Sequence, residues 1–478
     1  MNEQINNNSA LATGLKLWQT FGLALVGVVA LHLSYAVPAL SFLILVFLMG
    51  MAGMSLARTR RLSFYPSLVI GFLLYGPQLP FFWAIFGPVA LLLWLVLSFW
   101  LGMFSVIAWF VRTRLGVRAW LISLPVLWTG VEYFRSELYY LRFSWINAGY
   151  TLSGNPQSSW LLWFGMSGVS FIVMGLAAFI LSRKGRIRYV SFAAILAVMA
   201  IAVNLPSRKP ATQDQDARIL KVAGIQAEFP LESYVPLLLD KALAKFPDAD
   251  LFMLSEYTFD KTIPEPTREW CRTHKKYLVA GGKDPVGDNY YNTAFVVDPN
   301  GEIVFKQAKS VPIQFFADGL PAPEIALWES PWGKLAIPTC YDLSYTRVID
   351  GMVALGAQGI LNPTMDVVDW GAYQHELHAR VPQIRAAEHG IPIFRIASSG
   401  ISQLVNANGI TETTASFPGD EEIIGGEMIL DQPGRVPPDR WLAPACTFAT
   451  AALLIVALIP RRKLKIETNP NDEPQNAN

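Results

Sequence analysis

The sequence predicts two architectures in one chain: an α-helical membrane bundle of about eight spans, and a layered α/β sandwich domain held outside the cytoplasm. Three observations carry this. Hydrophobic residues make up 52% of the 478 positions and charged residues only 16%, which lies on the membrane side of the usual globular range. The apolar excess fills 15–205 and 441–460, whereas 206–440 reads like a soluble α/β protein. Basic residues cluster between alternate apolar stretches, which sets an orientation.

A helix needs roughly 20 mainly apolar residues to cross a bilayer. Stretches at 17–35, 38–57, 65–84, 88–111, 118–134, 160–181, 188–205 and 441–460 qualify, the third interrupted near its end by Pro77 and Pro80. The first is too long, and too closely followed by a second, to read as a cleaved signal peptide. Arg58, Arg60 and Arg61 follow the second stretch. Arg112, Arg114 and Arg118 separate the fourth and fifth; Arg183, Lys184, Arg186 and Arg188 separate the sixth and seventh; Arg461, Arg462, Lys463 and Lys465 follow the eighth. With eight spans, all four clusters share one side, and basic loops stay in the cytoplasm. Both termini are then expected inside. The division is a seven-helix membrane domain over 1–205, an outer domain over 206–440, a C-terminal span over 441–460 and a polar, disordered cytoplasmic tail over 461–478.

The outer segment alternates short β-rich runs with helical patterns. Strands are expected at 219–226, 251–255, 277–281, 293–297, 303–306, 335–339, 359–362 and 393–397, and helices at 233–246, 266–274, 345–356 and 373–389. Several strands are almost wholly apolar, as in sheets covered on both faces.

A net charge of +1 gives no support to a nucleic-acid partner. Three cysteines cannot build a disulfide framework. Cys446 lies in an apolar run, which leaves Cys271 and Cys340 for aqueous chemistry. Cys340 follows an apolar strand and precedes a helix, so it projects into the crevice at strand carboxyl ends, where a helix amino terminus favours thiolate; the plain alternative is a buried structural cysteine. Glu256 follows the run 250–255. A carboxylate there is open to desolvation and general-base use, against the reading of a solvated loop glutamate. Lys309 closes a strand and offers a fixed cation for an oxyanion, against an ordinary surface lysine. His375 and His378 are three residues apart, not at His-Glu-x-x-His spacing, and no third ligand stands at a recognised distance, so no metal is expected. In the membrane half, Glu132 and Arg135 stand near the outer end of the fifth span, before Phe143-Ser144-Trp145. They either anchor the span at the interface or, with Trp145, form a floor that guides lipid.

Taken together these pieces resemble the apolipoprotein N-acyltransferase family, a membrane branch of the nitrilase superfamily. The resemblance covers nearly the whole chain. It rests on Leu254-Ser255-Glu256, on Tyr291-Asn292-Thr293-Ala294 with Asp298 and Gly301, on Lys309-Ser310-Val311-Pro312, and on Cys340-Tyr341-Asp342. It continues through Trp370-Gly371, Gln374-His375, Arg385-Ala386-Ala387-Glu388 and 395–402, and in the membrane half through Trp128, Glu132, Arg135, Phe143, Trp145, Gly149 and Tyr150. There are departures. Counting back from Val311 in the family's spacing lands on Gln307, so Lys306 rivals Lys309. The family's Phe-Gly-Glu after the Pro is replaced by 313–319, where Asp318 is the acidic side chain and its equivalence is open. Asp342 stands for a glutamate and Ser399 for an asparagine.

The resemblance implies a nitrilase-like αββα sandwich and ping-pong acyl transfer through a Glu256–Lys309–Cys340 triad. Glu256 takes the thiol proton of Cys340, and the thiolate attacks a phospholipid ester. Lys309 and a backbone N–H hold the oxyanion. The α-amino group of a diacylglyceryl-cysteine apolipoprotein then takes the acyl chain from the thioester. Tyr341, Asp342, Trp370, His375, Ser399, Trp145 and Glu132 are the implied substrate-binding residues. No cofactor is implied; the partners are a membrane phospholipid and an apolipoprotein, the protein acts as a monomer, and its place is the bacterial inner membrane with the catalytic domain in the periplasm. The competing reading is a membrane-tethered amidase or nitrilase acting on a small carbon–nitrogen substrate. A further one is an envelope assembly protein with a decayed domain, which the three retained side chains argue against.

Overall fold

The computed structural model describes residues 15–154, 160–205, 217–419 and 421–459. The basic residues Arg461, Arg462, Lys463 and Lys465, the tail and the expected boundary at 206 lie outside them. Helices stand at each apolar stretch: Leu17–Ala36, Ile44–Met54 after a turn at Pro38–Leu43, Arg60–Gln78, Ala90–Leu115, Val117–Tyr133, Trp160–Ser182, Gly185–Asn204 and Asp439–Leu458. Among the described residues, five regions are long and apolar enough to cross a membrane by themselves: Leu17–Ala36, Phe81–Leu115, Trp160–Ser182, Gly185–Asn204 and Asp439–Leu458. Their outward side chains are apolar. In Gly185–Asn204 only Met199 is buried, and Trp441 on the last helix is 86% exposed. Such surfaces are stable in lipid and not in water, and the chain is a multi-pass membrane protein.

The third helix begins at Arg60 rather than near 65. Thr59 caps it by accepting from Leu62 N (3.2 Å), and it ends at Gln78, just past Pro77. This is the cap-and-proline logic of helix ends, which hydropathy does not read.

The outer domain holds twelve strands in two six-stranded sheets. They are β1 Arg218–Gln226, β2 Leu251–Met253, β3 Tyr277–Val286, β4 Asn289–Val297, β5 Ile303–Ala308, β6 Trp328–Ser330, β7 Gly333–Ala336, β8 Gly359–Thr364, β9 Ile393–Ala397, β10 Gln403–Val405, β11 Thr411–Thr414 and β12 Glu422–Leu430. One sheet runs β12-β1-β2-β3-β4-β5 and the other β11-β10-β9-β8-β7-β6. All eight expected strands are present. Those missed are β6 and β10, three residues each; β11, a polar edge of Thr-Glu-Thr-Thr; and β12, interrupted by Gly425-Gly426. The helix expected over 373–389 is two, Ala372–His378 and Arg380–His389. Pro382 supplies no N–H to the carbonyl four residues back, which breaks the ladder there.

Val222, Met253, Val296, Leu335, Leu361 and Ile396 fill the space between the sheets. Helices Val235–Lys245 and Glu265–His274 cover one outer face. Cys271 lies in that layer, its thiol pushed up to about 12 by burial, and so is a core residue rather than an aqueous one. Helices Thr346–Ala354 and Arg380–His389 cover the other face. Their Ile349, Met352 and Ile384 belong to one continuous core with the membrane helices.

That junction is polar at its rim. Inside helix Trp160–Ser182, Gly165 takes φ +67°, and the helix restarts beyond it. The freed N–H groups are taken by carboxylates: Met166 N donates to Glu388 (2.7 Å) and Ser167 N to Asp439 (2.9 Å). Glu388 also pairs with Arg385 (2.5 Å) and Arg440 (3.3 Å), and Arg440 reaches Asp350 (2.8 Å). Arg385 donates onward to the carbonyls of Leu343 (3.0 Å) and Ser344 (2.8 Å), in the turn that begins at Cys340.

Candidate active site

Four chain segments leave the carboxyl ends of their strands toward one place. Glu256 lies three residues past β2, Lys309 one past β5, Cys340 four past β7 and Asp366 two past β8. Glu256 and Cys340 are thus on loops beyond shorter strands than the sequence suggested. All four are 2% exposed or less.

Lys309 Nζ lies 2.9 Å from Glu256 Oε1 and 2.8 Å from Asp318 Oδ2. Asn292 bridges the same two carboxylates, donating to Glu256 (2.6 Å) and Asp318 (2.9 Å). Asp318 also accepts from Tyr257 Oη (2.7 Å) and Ile313 N (2.7 Å). It therefore occupies the acidic place in the lysine loop. Lys306, by contrast, is half-exposed and pairs with Asp284 (2.9 Å). Burial works against the charge on Lys309, but Glu256, Cys340 and Asp318 overturn this and hold its ammonium well above the usual range. Burial alone raises the Asp318 carboxyl, and Lys309 brings it below its ordinary value.

Met365 N donates to the other oxygen of Glu256 (2.7 Å), and the Cys340 thiol donates to Met365 O (3.6 Å). Burial and the Glu256 charge push the thiol well above its ordinary value; Lys309 opposes them without winning. The element expected to be a helix amino terminus beside the sulfur is only a short turn, Cys340–Ser344. Cys340 itself takes φ +52°, a conformation that costs a non-glycine residue about 1–3 kcal/mol and clusters at functional sites.

Gly281 on β3 makes the Glu256 position possible. A Cβ there would meet Glu256 Cα at 2.5 Å and Tyr257 N at 2.8 Å, all backbone. Gly281→Ala is expected to destabilise the outer domain by about 1–3 kcal/mol and to displace Glu256. The checks are a lower thermal midpoint and a loss of activity at temperatures where the variant is still folded.

Above Cys340 opens a largely apolar cavity. Its walls are Phe81, Phe82, Phe86, Leu93 and Leu97 from the membrane helices, and Phe315 and Phe316 from the loop after Lys309. Phe86 meets Phe315 and Phe316 edge-on at 6.1 and 6.0 Å. Cys340, Tyr341, Asp366, Trp370, Gln374, His378 and Trp145 also face it. Trp145 is fixed by its indole N–H on Ser344 Oγ (2.9 Å) and stacks on His378 at 4.7 Å.

Of the side chains expected to bind substrate, Tyr341, Trp370 and Trp145 line this cavity; four others do not. Asp342 is buried under the lysine loop, accepting from Ser310 N (2.8 Å), Val311 N (2.8 Å) and Thr339 N (3.3 Å), with burial raising its carboxyl to about 6. His375 packs on Phe417 at 4.0 Å with Nε2 3.0 Å from Ser399, and Ser399 donates to the Asp366 carbonyl. Glu132 accepts from Ala148 N (2.9 Å), while Arg135 donates to Phe143 O (2.8 Å) and to Asn147. These two therefore shape the loop that carries Trp145. All four brace other groups, because each spends its polar atoms on backbone or buried neighbours.

The sequence reading passed over Asn292 as a holder of carboxylates, and passed over Asp366. The latter accepts from His378 Nδ1 (2.8 Å), from Gln374 Nε2 (3.1 Å) and from Arg395. Burial opposes its charge, but His378 and Arg395 hold its carboxyl well below the ordinary range. The signal was available: an acidic residue just past an apolar strand, the same signal that singled out Glu256.

A sequence model described as the apolipoprotein N-acyltransferase N-terminal domain matches residues 26–179, and one described as carbon-nitrogen hydrolase matches 243–428. The apolipoprotein N-acyltransferase of Shewanella oneidensis is 23% identical over 441 residues, covering 79% of this chain and 82% of that protein. That of Geobacter metallireducens is 25% identical over 400 residues, covering 72% and 75%. Among solved structures, a carbon-nitrogen hydrolase from Helicobacter pylori is 19% identical over 44% of this chain and 89% of its own, with a TM-score of 0.39.

Proposed function

The chain belongs to the apolipoprotein N-acyltransferase family within the nitrilase superfamily, and from that membership we propose that it moves a fatty acyl chain from a membrane phospholipid, through a thioester on Cys340, to the amino terminus of a diacylglyceryl-cysteine apolipoprotein. The observation that carries this reading is the position of the Cys340 thiol: it faces an apolar cavity walled on one side by membrane helices. A small amide needs no such wall, which disfavours a tethered amidase.

In the first half-reaction Glu256 takes the thiol proton as sulfur attacks the ester carbonyl. The Lys309 ammonium faces the negative charge that develops on oxygen, in a site where water is excluded and such charge stabilisation is strong. On collapse the C–O bond breaks, Glu256 returns its proton to the departing alkoxide, and a lysophospholipid leaves. In the second, the amine attacks the thioester, Glu256 takes a proton from nitrogen, the C–S bond breaks and the proton returns to sulfur. The products are an amide and the free thiol. Glu256 is suited to all four transfers because Asn292, Lys309 and Met365 N hold both its oxygens in place.

The orientation proposed puts the catalytic domain on the periplasmic face of the inner membrane. Supporting this, Arg112 donates to the carbonyls of Ser55 (3.1 Å) and Ala57 (3.0 Å), so basic clusters from two loops meet at one end of the bundle.

The test uses the purified full-length protein in detergent with an acyl-labelled phospholipid. The protein should gain a hydroxylamine-labile label, and a diacylglyceryl-cysteine peptide should remove it as an amide. No label in a preparation that releases ammonia from small amides would overturn the acyltransferase reading.

A further inference from the structure

Among the described residues, His378 Nε2 and Gln374 Oε1 are buried polar atoms on the walls of the Cys340 cavity with no hydrogen-bond partner. Their side chains are 2% and 3% exposed, and both line the cavity that Cys340 faces. A buried polar atom without a partner is destabilising, so two in one cavity call for a ligand that satisfies both.

Their chemistry is fixed by a shared neighbour. Both Asp366 oxygens (2.8 and 3.0 Å) lie closer to His378 Nδ1 than Arg395 does (3.2 Å), and Arg395 is itself paired with Asp366, so the geometry assigns the proton to Nδ1 and the lone pair to Nε2. Asp366 also accepts from Gln374 Nε2 (3.1 Å), so the amide oxygen is the end left free. Both free atoms are therefore acceptors. Burial lowers the basicity of His378 against the pull of Asp366, and Arg395 lowers it further. The Asp366 charge is already matched by Arg395, so the site does not ask for a cation. Stacking on Trp145 at 4.7 Å fixes the plane of the imidazole.

We propose that His378 Nε2 and Gln374 Oε1 form the amine subsite of the second half-reaction, each accepting one N–H of the incoming neutral primary amine. A primary amine has two N–H hydrogens and one lone pair. With both hydrogens held, the lone pair is left for the thioester carbonyl on Cys340. The phospholipid donor brings an ester with no N–H at its reacting centre, so the pair serves the acceptor alone. This rests on the thioester reading above.

The experiment separates the half-reactions in the full-length protein in detergent. Acyl-enzyme formation is followed with labelled phospholipid. Its discharge is followed after washing, with a diacylglyceryl-cysteine peptide at varied concentration. His378→Phe keeps a ring against Trp145, and Gln374→Met keeps the volume. Each is expected to slow discharge about tenfold, the effect of one lost hydrogen bond, and to raise the peptide concentration for half-maximal rate; acyl-enzyme formation should change less than about threefold. Unchanged discharge in both variants overturns the subsite. Equal losses in both half-reactions also overturn it, because they mark a structural role. If the wild-type protein forms no acyl-enzyme at all, the thioester reading falls first, and the subsite with it.

Discussion

Replacing Cys340 by alanine is expected to remove the hydroxylamine-labile label completely and to lower acyl transfer by at least about 10⁴-fold, since a nucleophile acts as one unit with its base and oxyanion partner. The protein should remain folded. Only a sulfur is lost, and the Glu256, Lys309, Asn292 and Asp318 cluster keeps all its mutual bonds. Cys340→Ser is the sharper variant. A serine oxygen beside the same carboxylate is a poorer nucleophile, and any acyl-enzyme it forms is an ester, which amines attack slowly. A trace of label resistant to neutral hydroxylamine, with no amide product, is the expected result. Amide formation at a rate near that of the wild type in either variant would show that Cys340 is not the acyl carrier.

Lys309→Met is expected to lower acyl-enzyme formation by about 10²–10³-fold, the usual effect of losing an oxyanion donor. It carries a second penalty. Glu256 and Asp318 both lie against the Lys309 ammonium (2.9 and 2.8 Å) and share Asn292. Removing a buried partner leaves unpaired charge, at a cost of about 3–5 kcal/mol. A lower thermal midpoint should accompany the lost activity, and Lys309→Met with Asp318→Asn should recover stability without recovering rate. Lys306→Met is the control. Its pair with Asp284 is half-exposed and worth about 0–1 kcal/mol, so rate and midpoint should hardly move. An equal loss in both lysine variants would contradict the assignment of Lys309.

Much of this was legible in the sequence because its signals were local. Apolar runs long enough to span a bilayer, strand-like runs ending in Glu256, Lys309 and Cys340, and their order in the chain all survive as linear patterns. What was not legible depends on what each side chain meets across the fold. Spacing could not choose between Lys306 and Lys309; burial beside two carboxylates did. Asp342 and His375 read as ligand contacts because of where they stand in the chain, yet one braces a loop through three backbone N–H groups and the other packs on Phe417. Gln374 and His378 lay in a segment weighed for metal. Only the folded structure shows both turned toward Asp366, each with one acceptor atom left over.

The helices Arg380–His389 and Thr346–Ala354 have apolar neighbours on two sides, the sheet and the membrane bundle. The catalytic sandwich is in that sense half a globule whose missing wall is supplied by the spans. Released as a fragment over 217–430, it would carry Ile349, Met352 and Ile384 on a face never built for water, and Glu388 would lose Met166 and Arg440. Cut from its spans, the sandwich would give up both the cover of that face and the membrane-helix wall of the cavity above Cys340.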